Sequence, residues 1–379
     1  MEFAVWAYPW DVRDEGPNRV ADRLRDVGVD EVNLATNYHS VQAFAPHNPE
    51  RRTHFARASA YFRPGDGYGR LEPIPYDGMD GDWVAAIADD LEELTLTSWT
   101  VGCHNSRLGM ANPDVTIESP HGDDLVFGLC PSNPAVRTYL TALVADLADR
   151  AQFDRIELET FDYFYGTGWG WHHQKIHARL GTLGEFLLGL CFCDHCRSAA
   201  ADAGVDVDRA RDTAADTLDA VVGGDVPHGL APERWLRGHP EVAEYVAVRE
   251  DTLVDLYADL ADAAGDTPLG YYVGMPEAGR EWLVGADVDR LADHVDYYCL
   301  PAYESSRAAV LDAYRTVDAL TPDVPIHVGV LPGHPAVHDR ATVVDVVDGL
   351  RSAGVPRVSF YNYGLLPERS LDWIDAATA

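Results

Sequence analysis

The amino-acid sequence predicts an α/β fold, a closed (β/α)8 TIM barrel with long insertions after strands 2, 3 and 4. Three observations predict it. Eight short β-rich runs follow one another along the chain, most with a helical pattern behind them, and that alternation implies a parallel sheet. Eight repeats imply closure rather than an open sheet. The turn after the first run, YPWDVRDEGPN, lacks the G-x-G-x-x-G phosphate turn that an open doubly wound sheet should show there.

The predicted strands are, in order, Phe3–Tyr8, Glu31–Asn37, Ser98–His104, Arg155–Phe161, Leu269–Val273, Val295–Pro301, Ile326–Leu331 and Val358–Tyr363. Several follow the small or acidic turn that ends a helix: VGVD before the second, ADH before the sixth, SAGVP before the eighth. The connections are uneven. Residues 38–94, 105–135 and 162–265 are long insertions that would wall the C-terminal face. The expected organisation is one barrel domain over 1–379, with an inserted cysteine-containing helical segment at 162–265.

Composition narrows the function classes. The net charge is −33, spread along the chain, and Lys175 is the sole lysine against 28 arginines. A dense carboxylate surface stays hydrated in molar salt, where its self-repulsion is screened. The pattern suits a salt-in halophile, and the expected location is its cytoplasm. Nucleic acid is not expected as a partner, because a phosphate backbone needs a basic footprint. No apolar stretch approaches the roughly 20 residues of a membrane helix, and MEFAVWAYPW lacks the basic start and cleavage site of a signal peptide. A homo-oligomer stays open.

In this barrel class the strand C-termini carry the chemistry. The first run ends with Trp6 and Tyr8, the second with Asn37, the third with His104 and Asn105. The fourth is ELETFDY, which supplies Glu157, Glu159 and Asp162. The sixth ends with Tyr303 and Glu304, the eighth with Tyr361 and Tyr363. The loop after the fourth adds Trp169, Trp171, His172 and His173. Aromatic faces stack on sugar C–H faces, and amides, imidazoles and carboxylates pair with hydroxyls, so a small carbohydrate or glycoside is the expected substrate. No organic cofactor is expected, and no strand-end lysine stands ready for a Schiff base. Glu157 and Glu159 lie two apart and share one side of their strand. Buried together, they must be hydrogen-bonded, paired or functional; a pairing would use an inward arginine such as Arg107 or Arg249. The functional reading makes Glu159 a general acid, with Glu157 beside it and Asp162 or Glu304 as base or charge stabiliser. A divalent-metal isomerase or epimerase using Glu159, His104 and Glu304, and a barrel that only binds glycans, are the alternatives.

Cys191, Cys193 and Cys196 form a C-x-C-x2-C run. Thiolates so close favour tetrahedral zinc, with Cys130 or His195 as fourth ligand. Four thiolates would close the site, making it structural. The other reading is three cysteines buried as small hydrophobes.

The segment from Cys130 to Cys196 resembles the glycoside hydrolase family 42 β-galactosidases and their uncharacterised glycoside-hydrolase-like relatives. The likeness implies a zinc held by Cys130, Cys191, Cys193 and Cys196, and an acid/base role for Glu159 at the end of strand four. The strand-seven nucleophile of those enzymes has no counterpart in VLPGHP, so their double-displacement mechanism does not carry over. Glu157, Glu159, Asp162, Tyr303 and Glu304 are also similar to the acid cluster and Tyr-acid pair of family 18, which implies a substrate-assisted route.

Overall fold

The computed structural model describes residues 1–150, 152–166, 175–274 and 277–379. Eight parallel strands close into a barrel: β1 (Glu2–Ala7), β2 (Glu31–Tyr38), β3 (Thr95–Val101), β4 (Arg155–Glu159), β5 (Leu269–Tyr272), β6 (Tyr297–Pro301), β7 (Ile326–Val330) and β8 (Arg357–Phe360). Each pairs with its sequence neighbour, and β1 pairs with both β2 and β8, which closes the sheet.

The strand pattern explains the layering. In β4, RIELE, Ile156 and Leu158 are fully buried on one face, while Arg155, Glu157 and Glu159 share the other. That second face is the barrel interior, because Glu157 meets Asn33 of β2 and Arg357 of β8 across it. The third strand begins at Thr95, three residues ahead of the expected start, because the ladder with β2 opens at Glu31↔Thr95. It also ends earlier. Gly102 follows it, and a Cβ there would come within 2.7 Å of the Phe161 ring. The glycine lets the exits of β3 and β4 pack together.

The insertions build the C-terminal face. The one after β2 carries the hairpin Val41–Phe44/Thr53–Ala56 and the helix Trp83–Asp90. The one after β3 carries the helix Ser106–Ala111 and the hairpin Thr116–Glu118/Asp124–Leu129. After β4 come the helices Gly181–Leu188, Asp194–Asp202, Val207–Gly223, Pro232–Leu236 and Pro240–Ala264. The last ends at Gly265, whose φ of 59° needs a glycine. Among the described residues no helix is long and apolar enough to cross a membrane.

Candidate active site

The two glutamates of β4 stand in different surroundings. Glu157 is 1% exposed. It accepts hydrogen bonds from the Tyr272 hydroxyl at 2.8 Å, Arg357 Nη1 at 3.2 Å and Asn33 Nδ2 at 3.3 Å. Arg357 also reaches Glu31 at 2.6 Å, and Arg155 meets Glu31 at 2.9 Å. Two acids and two arginines therefore balance in one interior layer. Burial pushes the Glu157 carboxyl up, and the Arg357 charge and the Tyr272 hydroxyl pull it back. The arginine partner is Arg357, not Arg107, which instead bonds Ser59 and Asp77, nor Arg249.

Glu159 sits one layer higher and has no cationic partner among the described residues. Its Oε2 accepts from Trp99 Nε1 at 2.5 Å. Burial pushes its carboxyl up to about 7; the Trp99 N–H opposes that, and the Glu157 charge adds to it. Asp162 is 7% exposed and accepts from the Tyr271 hydroxyl at 2.7 Å. Burial lifts it also to about 7, with Tyr271 and the Arg249 charge opposing.

Thr160 explains how the two acids come together. Residues three apart on a plain strand face opposite ways. Thr160 has φ of 53°, in the left-handed region, where a threonine is uncommon. The turn it makes ends the alternation, and Glu159, Thr160 and Asp162 line one chamber. Strained backbone of this kind clusters at functional sites. The Thr160 hydroxyl is buried and has no hydrogen-bond partner in the described structure.

The chamber encloses about 120 Å³ at the barrel mouth. Nine of its fourteen lining residues are aromatic, and Glu159 and Asp162 are the acids among them. Trp6, Trp99 and Tyr361 pack edge to face, with centroids 5.8 to 6.4 Å apart. Tyr303 leans on Tyr361 at 5.1 Å. Trp6 donates its Nε1–H to the Tyr272 hydroxyl at 2.6 Å. Its ring lies over Gly329 of β7, where a Cβ would come within 2.8 Å.

Of the residues singled out in the sequence, Glu159, Asp162, Trp6, Tyr303 and Tyr361 line the chamber. Tyr8 lies behind it, 3.4 Å from the hydroxyls of Tyr38 and Tyr361. Asn37 donates to the Val101 carbonyl at 2.7 Å. His104 stacks on His39 and meets Phe164 edge to face. Asn105 caps the helix Ser106–Ala111 by accepting from Leu108 N at 3.0 Å. Tyr363 donates to Glu15 at 2.7 Å. None of these five lines the chamber. Neither does Glu304, which is exposed on the turn where Ser306 starts the helix Arg307–Asp318. Trp169, Trp171, His172 and His173 lie outside the described residues. Sequence reasoning missed Trp99, Tyr272 and Tyr163. Trp99 was hidden because the expected strand ran on to His104 and put Trp99 near its entry; the strand ends at Val101, which leaves Trp99 two residues from its exit.

The cysteines form a second centre. Cys130, Cys191, Cys193 and Cys196 are all buried, and their sulfurs lie within 4.8 Å of one another. Cys130 stands 3.4, 3.6 and 3.7 Å from Cys196, Cys193 and Cys191. Metal–sulfur bonds of about 2.3 Å in a tetrahedron place sulfurs about 3.8 Å apart, so the cluster fits a metal ion. His195 is exposed and takes no part. Among the described residues no other group of His, Cys, Asp or Glu gathers so closely, so Glu159, His104 and Glu304 form no common metal site. Tyr163 joins the centres: it lines the chamber, and its hydroxyl lies 2.5 Å from Ser132 Oγ and 3.9 Å from Cys196 Sγ.

No family model and no curated protein matches the chain. Solved structures do. The glycoside hydrolase domain of PgaB (BpsB) from Bordetella bronchiseptica aligns over all of this chain and 99% of its own, at 13% identity and a TM-score of 0.60. The β-galactosidase of the psychrophilic Marinomonas ef1 aligns over all of this chain at 11% identity and a TM-score of 0.59. That of the Antarctic haloarchaeon Halorubrum lacusprofundi does so at 14% and 0.57. The chain spans 59% and 57% of those two enzymes. What these likenesses establish is the fold, a closed (β/α)8 barrel of the kind found in these glycoside hydrolases.

Proposed function

We propose that the chain is a glycoside hydrolase in which Glu159 is the general acid and Asp162 its ionised partner. One observation carries the reading: Glu159, unlike Glu157, has no arginine, and it looks into an aromatic chamber beside a second acid. Burial holds both carboxyls at about 7, and the Glu159 charge opposes ionising Asp162, so the pair favours one negative charge near neutral pH. The Glu157 charge favours the protonated form of Glu159, and the Arg249 charge favours the ionised form of Asp162. Glu159 donates its proton to the glycosidic oxygen as the bond to the anomeric carbon breaks. Asp162 stabilises the positive charge that develops on the sugar, or takes a proton from the attacking water. Trp6, Tyr303 and Tyr361 offer ring faces to the sugar. Glu157 holds the layer beneath rather than acting on substrate.

The four cysteines are read as a structural zinc site, since four thiolates leave no open position. The dispersed acid and single lysine are read as adaptation to a salty cytoplasm. Assays therefore belong in multimolar KCl, with a panel of aryl glycosides and oligosaccharides, for wild type, Glu159→Gln and Asp162→Asn. Wild type should turn over at least one substrate, and Glu159→Gln should lose about 10²–10⁴-fold in kcat. Wild type and E159Q equally inert across the panel would remove the proposal.

A further inference from the structure

We infer that Arg249 is the counter-charge of the metal–tetrathiolate centre, and so a positioning residue for that centre. The inference rests on reading the four cysteines as metal ligands. Arg249 lies midway along the helix Pro240–Ala264 and is 2% exposed. Its Nε, Nη1 and Nη2 have no hydrogen-bond partner in the described structure. A guanidinium removed from water without a partner is among the most costly groups a fold can bury. Asp162 feels the Arg249 charge, but its carboxylate bonds Tyr271 and no ion pair joins it to Arg249 among the described residues, so that compensation is partial.

The surroundings indicate where compensation comes from. The guanidinium carbon sits 4.4 Å from the centroid of the Tyr163 ring. The hydroxyl of that ring is 3.9 Å from Cys196 Sγ. One turn earlier on the same helix face, Tyr245 donates its hydroxyl to the Cys191 carbonyl at 2.6 Å. The helix thus presents Tyr245 and Arg249 to the cysteine cluster from one side. Four neutral thiols offer Arg249 nothing. Four thiolates around a divalent ion carry two net negative charges, and in a dry interior that field extends past a single ring. The Tyr163 ring face between them adds a cation–π contact. Arg357, by contrast, is equally buried but meets Glu31 and Glu157 directly.

The test measures metal affinity and stability, not turnover. Zinc affinity is read by competition with a chromophoric chelator on the full chain, and thermal melting is followed with and without the metal. Arg249→Met should bind zinc about 10–100-fold more weakly than wild type, the range seen when groups outside the ligand shell are lost. Arg249→Lys keeps a cation but loses the planar stack on Tyr163, so its zinc affinity should lie between those of R249M and wild type. Stripping the metal should lower the melting temperature more in wild type than in R249M, because wild type is then left with a buried cation whose remaining counter-charge is the more distant Asp162. R249M with wild-type affinity and an unchanged cost of stripping overturns the inference. So does R249K that binds as weakly as R249M, since that would assign the effect to packing. If R249M does not fold, R249K alone decides it. A wild-type chain that takes up no zinc or cobalt overturns the metal reading itself, a result separate from either Arg249 outcome.

Discussion

Two layers of the same barrel treat a glutamate in opposite ways. In the lower layer Glu157 is locked to Arg357, with Tyr272 and Asn33 completing its contacts. In the upper layer Glu159 keeps one donor, Trp99, and faces open space lined by rings. The residue type, strand and face are the same. The difference is the arginine: the lower acid is ion-paired, and the upper one is left without a cation, which under the proposed function leaves it free to exchange a proton. Buried acids with raised pKa values and no cation mark functional sites more often than paired ones do.

The largest effect that would sharpen this contrast is on the lower layer. Arg357→Met leaves Glu31 and Glu157 buried without their shared cation, and should cost about 3–5 kcal/mol in urea unfolding at neutral pH. A loss near zero would mean that the lower layer is not an ion-paired one. The upper layer should respond with the opposite sign. The Glu159 carboxyl rises from 4.5 to about 7 on folding. Between those values the folded chain holds a proton that the unfolded chain has released, so this group's contribution to stability declines as pH rises through that window. Glu159→Gln should therefore be more stable than wild type by about 1–3 kcal/mol near pH 8, after allowance for the opening of the chamber, and equal to it below about pH 5. Urea midpoints at the two pH values check this, and a destabilised E159Q near pH 8 would erase the distinction between layers. The smallest effect concerns Trp99, whose N–H holds the Glu159 carboxyl down. A general acid must keep its proton, so the rate should fall as pH rises through about 7. Trp99→Phe removes the donor and should move that limb upward by about half a pH unit to one unit in a kcat–pH profile. A downward move would contradict the assigned roles.

The barrel was legible in the sequence because strand alternation and repeat count are carried by residues close together in the chain. So were Glu159, Asp162 and the four cysteines, whose spacing is local. What separates Glu157 from Glu159 was not legible, because Arg357 lies 200 residues further along the chain and its register opposite β4 appears only once the sheet closes. Glu304 looked equivalent to Glu159 for the same reason: both stand near a strand end, and only the start of the next helix turns Glu304 outward. Asn37, Asn105 and Tyr363 are polar residues at strand ends whose bonds are taken by backbone or by Glu15. Their types could not reveal that.

The arginine at the centre of the lower layer is a marker for reading strand four of this barrel. A shift of two positions along strand four exchanges one glutamate for the other without disturbing the hydrophobic alternation. In this chain the contact with Arg357 of the eighth strand tells the two apart. The glutamate level with that arginine belongs to the scaffold, and the one above it is the candidate for chemistry.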